Sequence, residues 1–441
     1  MEKQNKFVKD MTKGNPMQLL IQFSLPLLVG NIFQQLYNMV DSIIVGNFVG
    51  ANALGAIGTT NSLNFFFFSL VAGLSVGIGI IVAQYFGFGD EEKVKDAIGN
   101  SIWIITVCSV IMAIIGFVTA RPVLVLLDTD PVILNDAVAY LKVVSIGIVC
   151  VGFYNGVSGI LRALGDSKTP LIFLIVASVL NVILDLIFVL SFGWGVVGAG
   201  VATAFSQLIS ALACIIYAYK SNTYFKLKKK NIKLNGNIIK KSCKLGIPVA
   251  LQNSLIAFSL IVLQKVVNGY GATFTTAFTV VSRIETLVQQ PFMSLGAAVS
   301  TYTGQNIGAG LKDRVRKGFN SATLVSSIFA LAIGVVFWIF APSIASIFGK
   351  DADVIRIGAN GLRITCCFYI FLGLIYTTRN VLNGAGDAMF SLFTGIVECI
   401  GAPAAPSMSS AWWSATTGRC APWRRASTPP SWPPRSILQT R

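Results

Sequence analysis

The sequence predicts an all-α polytopic membrane protein that contains two six-helix repeats in parallel orientation. Three observations lead to this prediction. Hydrophobic residues make up 54% of the 441 residues and charged residues only 12%, whereas soluble domains carry about 25% charged residues. Apolar runs of about 20 residues, the length that crosses a bilayer, recur along the chain. The two halves of the sequence also resemble each other at a fixed offset.

Polar or glycine-rich breaks separate the apolar runs into eleven predicted spans, with a twelfth span missing. The first run follows several lysines but has no signal-peptide cleavage pattern after it, so we expect it to be retained as a span. The predicted spans are residues 19–46, 54–84, 97–120, 133–155, 170–192, 196–219, 246–268, 275–305, 317–340, 354–378 and 389–401.

The internal repeat has an offset of 221 or 222 residues. LPLLVGN at 25–31 matches IPVALQN at 247–253, and QYFGFGDEEKVKDAI at 84–98 matches QNIGAGLKDRVRKGF at 305–319. ILRALGDSKTPL, which begins at Ile160, matches VLNGAGDAMFSL in the second half. An even number of spans per unit gives both units the same orientation. Such parallel repeats are a transporter architecture, with the substrate path between the halves.

The repeat and the charges divide the chain into four predicted segments. These are an N-terminal lobe at 1–219, a lysine-rich linker at 220–245, an incomplete C-terminal lobe at 246–400 and an aberrant tail at 401–441. Lysines and arginines concentrate in the cytoplasmic loops of membrane proteins. If the N-terminus of this chain is cytoplasmic, most of its lysines and arginines fall in cytoplasmic loops. We therefore expect a multi-pass inner-membrane protein with a cytoplasmic N-terminus. The net charge of +16 is then explained by cytoplasmic loops, and the lysine-rich linker faces anionic lipid rather than nucleic acid.

The composition also excludes several kinds of chemistry. The chain has no histidine, which rules out His-based triads and His-ligated metal sites. Its eight cysteines form no CxxC and lie mostly in apolar runs, so we interpret them as small buried hydrophobic residues. A membrane enzyme such as a prenyl transferase would need DDxxD-type acid clusters, and none occurs. With no nucleotide-binding motif either, we expect a protein that is not an enzyme, has no cofactor and uses an ion gradient.

Ionisable groups inside a membrane are costly, so they mark candidate functional sites. The acids inside predicted spans are Asp41, Asp185, Glu285 and Glu398. At about 1.5 Å per residue, Asp41, Asp185 and Thr203 lie about 10 Å below the outer ends of spans 1, 5 and 6. Asn181 lies one turn from Asp185 on the same helix face. We predict that these four residues bind Na⁺ through oxygen ligands or share a proton. The alternative is that each is only a hydrogen-bonded polar group between helices.

These features together resemble the multidrug and toxic compound extrusion (MATE) family. The ordered set comprises a proline in the first span of each half (Pro26 and Pro248), the paired QxxGxG motifs and the paired Gly-Asp, and it covers about residues 10–400. The resemblance implies a two-lobed, normally twelve-span antiporter. Such a protein expels organic, often cationic, compounds in exchange for Na⁺ or H⁺.

The resemblance also extends to the candidate site. YNMVDSIIVG at 37–46 is similar to the family's first-span acid motif, and NVILD at 181–185 with the Thr203 region is similar to its N-lobe cation site. No acid lies in 246–268, where family members with a C-lobe site usually carry a glutamate. The sequence therefore looks closer to the DinF-like branch.

Further residues are candidates for a substrate cavity or a hinge. Gln34, Tyr37 and Asn64, with some of the phenylalanines of NSLNFFFFSL, could line an apolar drug cavity, although lipid contact explains any single ring better. Glu285 could contact a cationic substrate or form a structural ion pair with another span. Pro26 and Pro248 are predicted to kink spans 1 and 7, either as moving hinges or as static bends.

The repeat fails at its C-terminal end. Residues 401–441 hold seven of the fifteen prolines and five arginines, but no lysine or acid. By the repeat, a last span should occupy about 417–440, and the proline-rich text there cannot cross a bilayer. Our hypothesis is that the tail is read out of frame; the alternative is a natural Pro/Arg-rich tail.

The function that we expect is cation-coupled export of organic, mainly cationic, small molecules by alternating access, carried out by a monomer. A lipid-linked precursor flippase of the same superfamily is an alternative, but it would line its cavity with several cations, and here intramembrane cations are few. A second alternative is an inactive, truncated remnant.

Overall fold

The computed structural model describes residues 8–348 and 351–404, and the regular elements in this part of the chain are helices. The helix between α5 and α6 is a π-helical turn, Leu186–Ser191, which continues α5 directly, and a short 3₁₀ turn, Thr223–Phe225, follows α6. The α-helices are α1 (Pro16–Phe48), α2 (Ala51–Phe88), α3 (Glu91–Leu126), α4 (Pro131–Ala163), α5 (Lys168–Asp185), α6 (Gly195–Ser221), α7 (Gly236–Asn268), α8 (Ala272–Gly308), α9 (Lys312–Ser346), α10 (Ala352–Cys366), α11 (Tyr369–Ala385) and α12 (Met389–Ala404).

Local sequence signals set the ends of these helices. Short polar side chains accept main-chain N–H groups at the N-termini of α1, α3, α4, α7 and α10, which satisfies donors that have no partner inside the helix. α2 ends at Gly89 and α11 at Gly386, both with positive φ, a conformation that glycine adopts without steric cost. The capping side chains are Asn15, Asp90, Asp130, Asn235 and Asp351.

The helices confirm the predicted all-α membrane fold. In the described part of the chain, eight helices are long and apolar enough to cross a membrane, or nine if α10 and α11, which meet at 50°, form one bent span. α8 has the length of a span, 37 residues, but its polar residues lower its hydropathy, and α12 has only 16 residues. With these two included, the helices follow the eleven predicted spans in order. The tail hypothesis concerns residues that lie outside the described part.

The bend between α10 and α11 is a feature that hydropathy did not predict. The Thr365 hydroxyl donates to the carbonyl of Leu362, and the Cys366 and Cys367 thiols both contact the carbonyl of Arg363. Side chains that bond carbonyls of the preceding turn compete with the helix ladder and favour a bend. The tenth span therefore consists of two helices rather than one.

The structure repeats as the sequence does, with α1–α6 forming the first lobe and α7–α12 the second. The Lys142 ammonium on α4 lies 5.0 Å from the centre of the Phe117 ring on α3. At the equivalent place in the second lobe, Arg363 Nε donates to the carbonyl of Trp338 on α9, at 3.3 Å. The repeat-equivalent cations therefore contact repeat-equivalent positions in both lobes, the ring of Phe117 in the first and the main chain of Trp338 in the second.

The linker folds back onto the first lobe, and α7 begins inside its predicted range of 220–245. Lys230 pairs with Glu92 on α3 at 2.6 Å, and this contact lowers the pKa of Glu92. The amide of Asn231 donates to Asp96 at 2.7 Å, and the Trp103 indole donates to the carbonyl of Ile232. We call the end of the bundle where this linker lies, and where α1 and α3 begin, the basic end.

The two lobes meet at the basic end through a reciprocal pair of hydrogen bonds. The Gln84 amide on α2 donates to the carbonyl of Gly384 on α11, at 3.1 Å. The Gln305 amide on α8 donates to the carbonyl of Ala163 on α4, at 2.9 Å. Donors and acceptors are both related by the repeat offset, so one motif makes this contact twice.

Glycines let the two lobes approach closely beside these glutamines. A Cβ on Gly87 would collide with the main chain of Gln305, and a Cβ on Gly308 with that of Gln84. Farther along α2, Gly73 packs directly on the main chain of Ala250 of α7. Small residues at such crossings allow the backbone contact that holds helices together in lipid.

We expect Gly87→Ala to destabilise the folded protein by about 1–3 kcal/mol, because the new methyl group overlaps main chain that cannot rotate away. Thermal unfolding in detergent measures the loss. Gly334→Ala is the matched control, because a Cβ there meets nothing within 4 Å and alanine favours a helix. Equal unfolding temperatures for the two variants would contradict this account of the interface.

Candidate functional site

The structure brings the two predicted acids of the first lobe together. Asp41 on α1 and Asp185 on α5 lie with their carboxyl groups within hydrogen-bonding reach of each other. Asp185 is fully buried and is the last residue of α5 before the π-helical turn Leu186–Ser191. Such turns widen a helix locally and are frequent at functional sites. Two carboxyl groups this close repel each other when both are ionised, unless a proton or a cation lies between them.

The predicted amide and hydroxyl also lie together. The Asn181 amide nitrogen donates to the Thr203 hydroxyl of α6 at 3.3 Å. This bond leaves the Asn181 carbonyl oxygen without a donor among the described residues. Since Asn181 and Asp185 are one turn apart on α5, the two pairs belong to one region of the lobe.

Two tyrosines complete the surroundings of the acids. Tyr37 on α1 is one turn from Asp41 and lies within hydrogen-bonding reach of Gln34. Tyr140 on α4 is 8% exposed and packs in one apolar cluster with Val40 of α1, next to Asp41, and with Val182 of α5. Sequence reasoning placed Tyr37 and Gln34 in a substrate cavity and did not identify Tyr140. The only feature of the sequence that could have identified Tyr140 is a phenol within a mainly apolar run, because buried phenols need a polar partner.

We call the group formed by Asp41, Asp185, Asn181 and Thr203 the acid site. Several of its oxygens lack a hydrogen-bond donor among the described residues. Neither carboxylate oxygen of Asp185 nor Oδ1 of Asp41 accepts a hydrogen bond from the described residues. Buried polar atoms normally have a partner, so each such atom requires an explanation. Carboxylate, amide and hydroxyl oxygens together are the ligands of a hard cation. A proton shared by the two carboxyl groups is the other species that fits them.

The remaining cavity candidates, Asn64 and the phenylalanines that follow it, lie on α2. Asn64 on α2 is half-buried and its carbonyl oxygen has no donor in the described part of the chain. Of the four consecutive phenylalanines that follow it, Phe65 and Phe66 are exposed while Phe67 is buried. No hydrogen bond connects Asn64 to the acid site among the described residues, so its role in a cavity stays a prediction.

Glu285 lies in the second lobe, within a separate polar cluster. Its half-buried carboxyl group is within hydrogen-bonding reach of the Thr365 hydroxyl, next to the bend between α10 and α11. Among the side chains that the structure describes, none forms an ion pair with Glu285, and both the substrate contact and the structural ion pair stay predictions. The side chain of Glu398 lies outside the described residues.

The two predicted hinge prolines lie inside continuous helices. Pro26 is within α1 and Pro248 within α7, the repeat-equivalent helix. Pro248 is buried and Pro26 is half-buried. Each proline removes one hydrogen bond from its helix, so a lowered resistance to bending at these points is an expectation that follows from the covalent structure.

Comparison with known proteins identifies the family. The MatE family model matches residues 26–187 and 248–403, one stretch in each lobe. The chain belongs to the MatE family. This chain is 31% identical over 390 residues to the probable multidrug resistance protein YpnP of Bacillus subtilis, and the alignment covers 88% of this chain and 87% of that protein.

Solved structures agree with this assignment. An outward-facing multidrug resistance MATE family transporter of the MOP superfamily superposes with a TM-score of 0.83 and 25% identity, over 90% of this chain and 88% of that one. A MOP superfamily transporter from Pyrococcus furiosus gives a TM-score of 0.83 with 26% identity, over 90% and 88%. The resemblance stated from the sequence is thereby confirmed at the level of family and fold, while the DinF-like assignment stays a prediction.

We expect Asp185→Asn to weaken cation binding at the acid site at least ~tenfold, because an amide replaces the most buried anionic ligand. Binding of radioactive Na⁺ to the purified protein, with proton release followed in parallel, measures both candidate species. Asp387→Asn, which removes an exposed acid at the basic end, is the control. If Asp185→Asn binds Na⁺ and releases protons as the unmodified chain does, the acid site is not the cation site.

Proposed function

We propose that this MATE chain is an antiporter that exports organic, mainly cationic, small molecules across the inner membrane in exchange for Na⁺ or H⁺. The acid site of Asp41 and Asp185 is the observation that carries the proposal. Two acids in a membrane segment with oxygens that lack donors are costly unless a cation or proton occupies the site at some stage. The relatives add support, because the B. subtilis relative is named a probable multidrug resistance protein.

The charges support an orientation for the chain. Lysines crowd the basic end, in the linker and at the starts of α3 and α9. By the positive-inside rule this end is cytoplasmic, and residues 8–15, which precede α1, lie at the same end. With the lobes joined at the basic end by Gln84 and Gln305, the described conformation is then closed toward the cytoplasm.

The transport cycle that we propose uses the acid site as its switch. A cation or proton enters from outside and cancels one negative charge of the pair Asp41 and Asp185. Loss of this charge removes the repulsion between the carboxyl groups and lets α1 repack against α5, which displaces the organic substrate outward. The lobes then part at the basic end, the cation leaves to the cytoplasm, and a new substrate enters.

Other functions are less well supported. A flippase for lipid-linked precursors needs cations inside its cavity, and the acid site instead gathers anions and neutral oxygens. The fold itself does not decide the cargo, because the P. furiosus relative is described as having a binding pocket of reverse polarity that suggests a different function. An inactive remnant is the third candidate, because the repeat of the second lobe fails after residue 401.

We expect Asp41→Asn to slow Na⁺- or H⁺-dependent efflux of a fluorescent organic cation at least ~tenfold, since only one carboxyl group then remains and there is no carboxyl–carboxyl repulsion for a cation or proton to relieve. Cells that express the full chain are assayed at controlled Na⁺ and pH. Asp136→Asn, which removes an exposed acid near the start of α4, should export normally. Unchanged efflux in Asp41→Asn contradicts the proposal, and an unmodified chain without efflux supports the remnant.

A further inference from the structure

The segment before α1 is bound between the two lobes. We propose that residues 8–15, here called the strap, lock the basic end shut, and that Arg314 is the positioning residue that holds the strap. This inference rests on the proposed function in one respect: a lock has a role in transport only if the basic end opens during the cycle.

The second lobe binds the strap through both main-chain groups of one residue. The N–H of Met11 donates to Oε1 of Gln305 at 2.8 Å, and its carbonyl accepts from the Asn306 amide at 3.1 Å. Gln305 is fully buried and donates at the same time to Ala163 of the first lobe. The strap is therefore part of the contact that joins the lobes.

Arg314 at the start of α9 distributes its guanidinium among three acceptors. Nε donates to Asn306 Oδ1 at 3.0 Å, Nη1 to the carbonyl of Gly14 at 3.0 Å and Nη2 to the carbonyl of Met11 at 3.2 Å. The first bond orients the amide that also binds Met11, and the other two bind the strap directly. A planar fork of fixed donors suits this arrangement better than a single ammonium group.

The Met11 side chain anchors the strap in the apolar core. It is fully buried in an apolar cluster with Leu20 of α1 and with Val299 and Tyr302 of α8. On its other side, the strap lies against the first lobe, because the main chain of Lys9 leaves no room for a Cβ on Gly165 in the turn after α4. Parting the lobes at the basic end requires that one of these two attachments breaks.

The strap site is a specific feature of the second lobe. In the aligned motifs, Asn306 corresponds to Tyr85 and Arg314 to Lys93. Lys93 pairs with Asp90 at 2.7 Å and contacts the Phe88 ring. The repeat therefore preserves Gln84 and Gln305, which join the lobes, but supplies the strap-binding pair once.

Hydrogen–deuterium exchange of the full chain tests the lock, because exchange of protected amides reports how often a segment opens. We expect Arg314→Ala to raise exchange about tenfold in the strap and in the QxxGxG ends of α2 and α8, the effect of losing about one charge-assisted hydrogen bond. Arg314→Lys should show exchange rates between those of the unmodified chain and those of Arg314→Ala, since lysine keeps the charge but lacks the planar set of donors. Arg316→Ala, an exposed arginine on the same helix, should leave exchange unchanged.

Met11→Ala provides an independent test that leaves Arg314 intact, and it should raise exchange in the same segments by emptying the anchor site. Unchanged strap protection in both variants overturns the inference, and so does a rise spread evenly over all helices, which indicates general destabilisation. The efflux assay separates this inference from the proposed function. If the unmodified chain exports nothing while Arg314→Ala still loosens the basic end, the lock stands and the proposed function fails.

Discussion

Two hydrogen bonds that cross between the lobes define the geometry of the basic end. Lipid is as apolar as the helix surfaces, so burial of apolar area does not by itself hold two lobes together in a membrane. Amides shielded from water need a protein partner, and the half-buried Gln84 and the fully buried Gln305 find theirs in the carbonyls of Gly384 and Ala163. These carbonyls lie in the last turns of α11 and α4, where intrahelical donors have run out. Each glutamine thus satisfies an acceptor that the other lobe cannot satisfy internally.

The repeat explains the scaffold, and departures from the repeat mark the specialised sites. The lobe contact and the contacts that Lys142 and Arg363 make at equivalent positions occur twice, as packing requirements common to both copies. By the offset of the first spans, the second-lobe partner of Asp41 is Leu263, so the first span carries an acid in only one copy. Arg314 holds the strap, whereas its partner Lys93 makes a local ion pair.

The fold and part of the site could be predicted because their physics is local. Hydropathy identified the helices, and the fixed rise of a helix placed Asp41 and Asp185 at one depth before any contact was known. Tyr140 could not be found this way, because its apolar neighbours give a phenol no distinguishing pattern. The strap was also missed, since its bonds to Arg314 join residues about 300 positions apart. The bend after α10 depends on thiol and hydroxyl groups that bond back to carbonyls, which hydropathy does not register.

α1 is one continuous helix between the acid site and the strap, and the second lobe holds the strap by hydrogen bonds. The strap leads into its first turn and Asp41 lies near its other end, with Pro26 between them. Along the way, Gly30 packs against Leu174 of α5, and Asn31 donates to the Ser294 hydroxyl of α8 at 3.1 Å. A helix held by different lobes at its two ends must bend or release one attachment when those lobes move apart. Since a proline lowers the cost of bending, a charge change at Asp41 and the hold on the strap act on the same mechanical element.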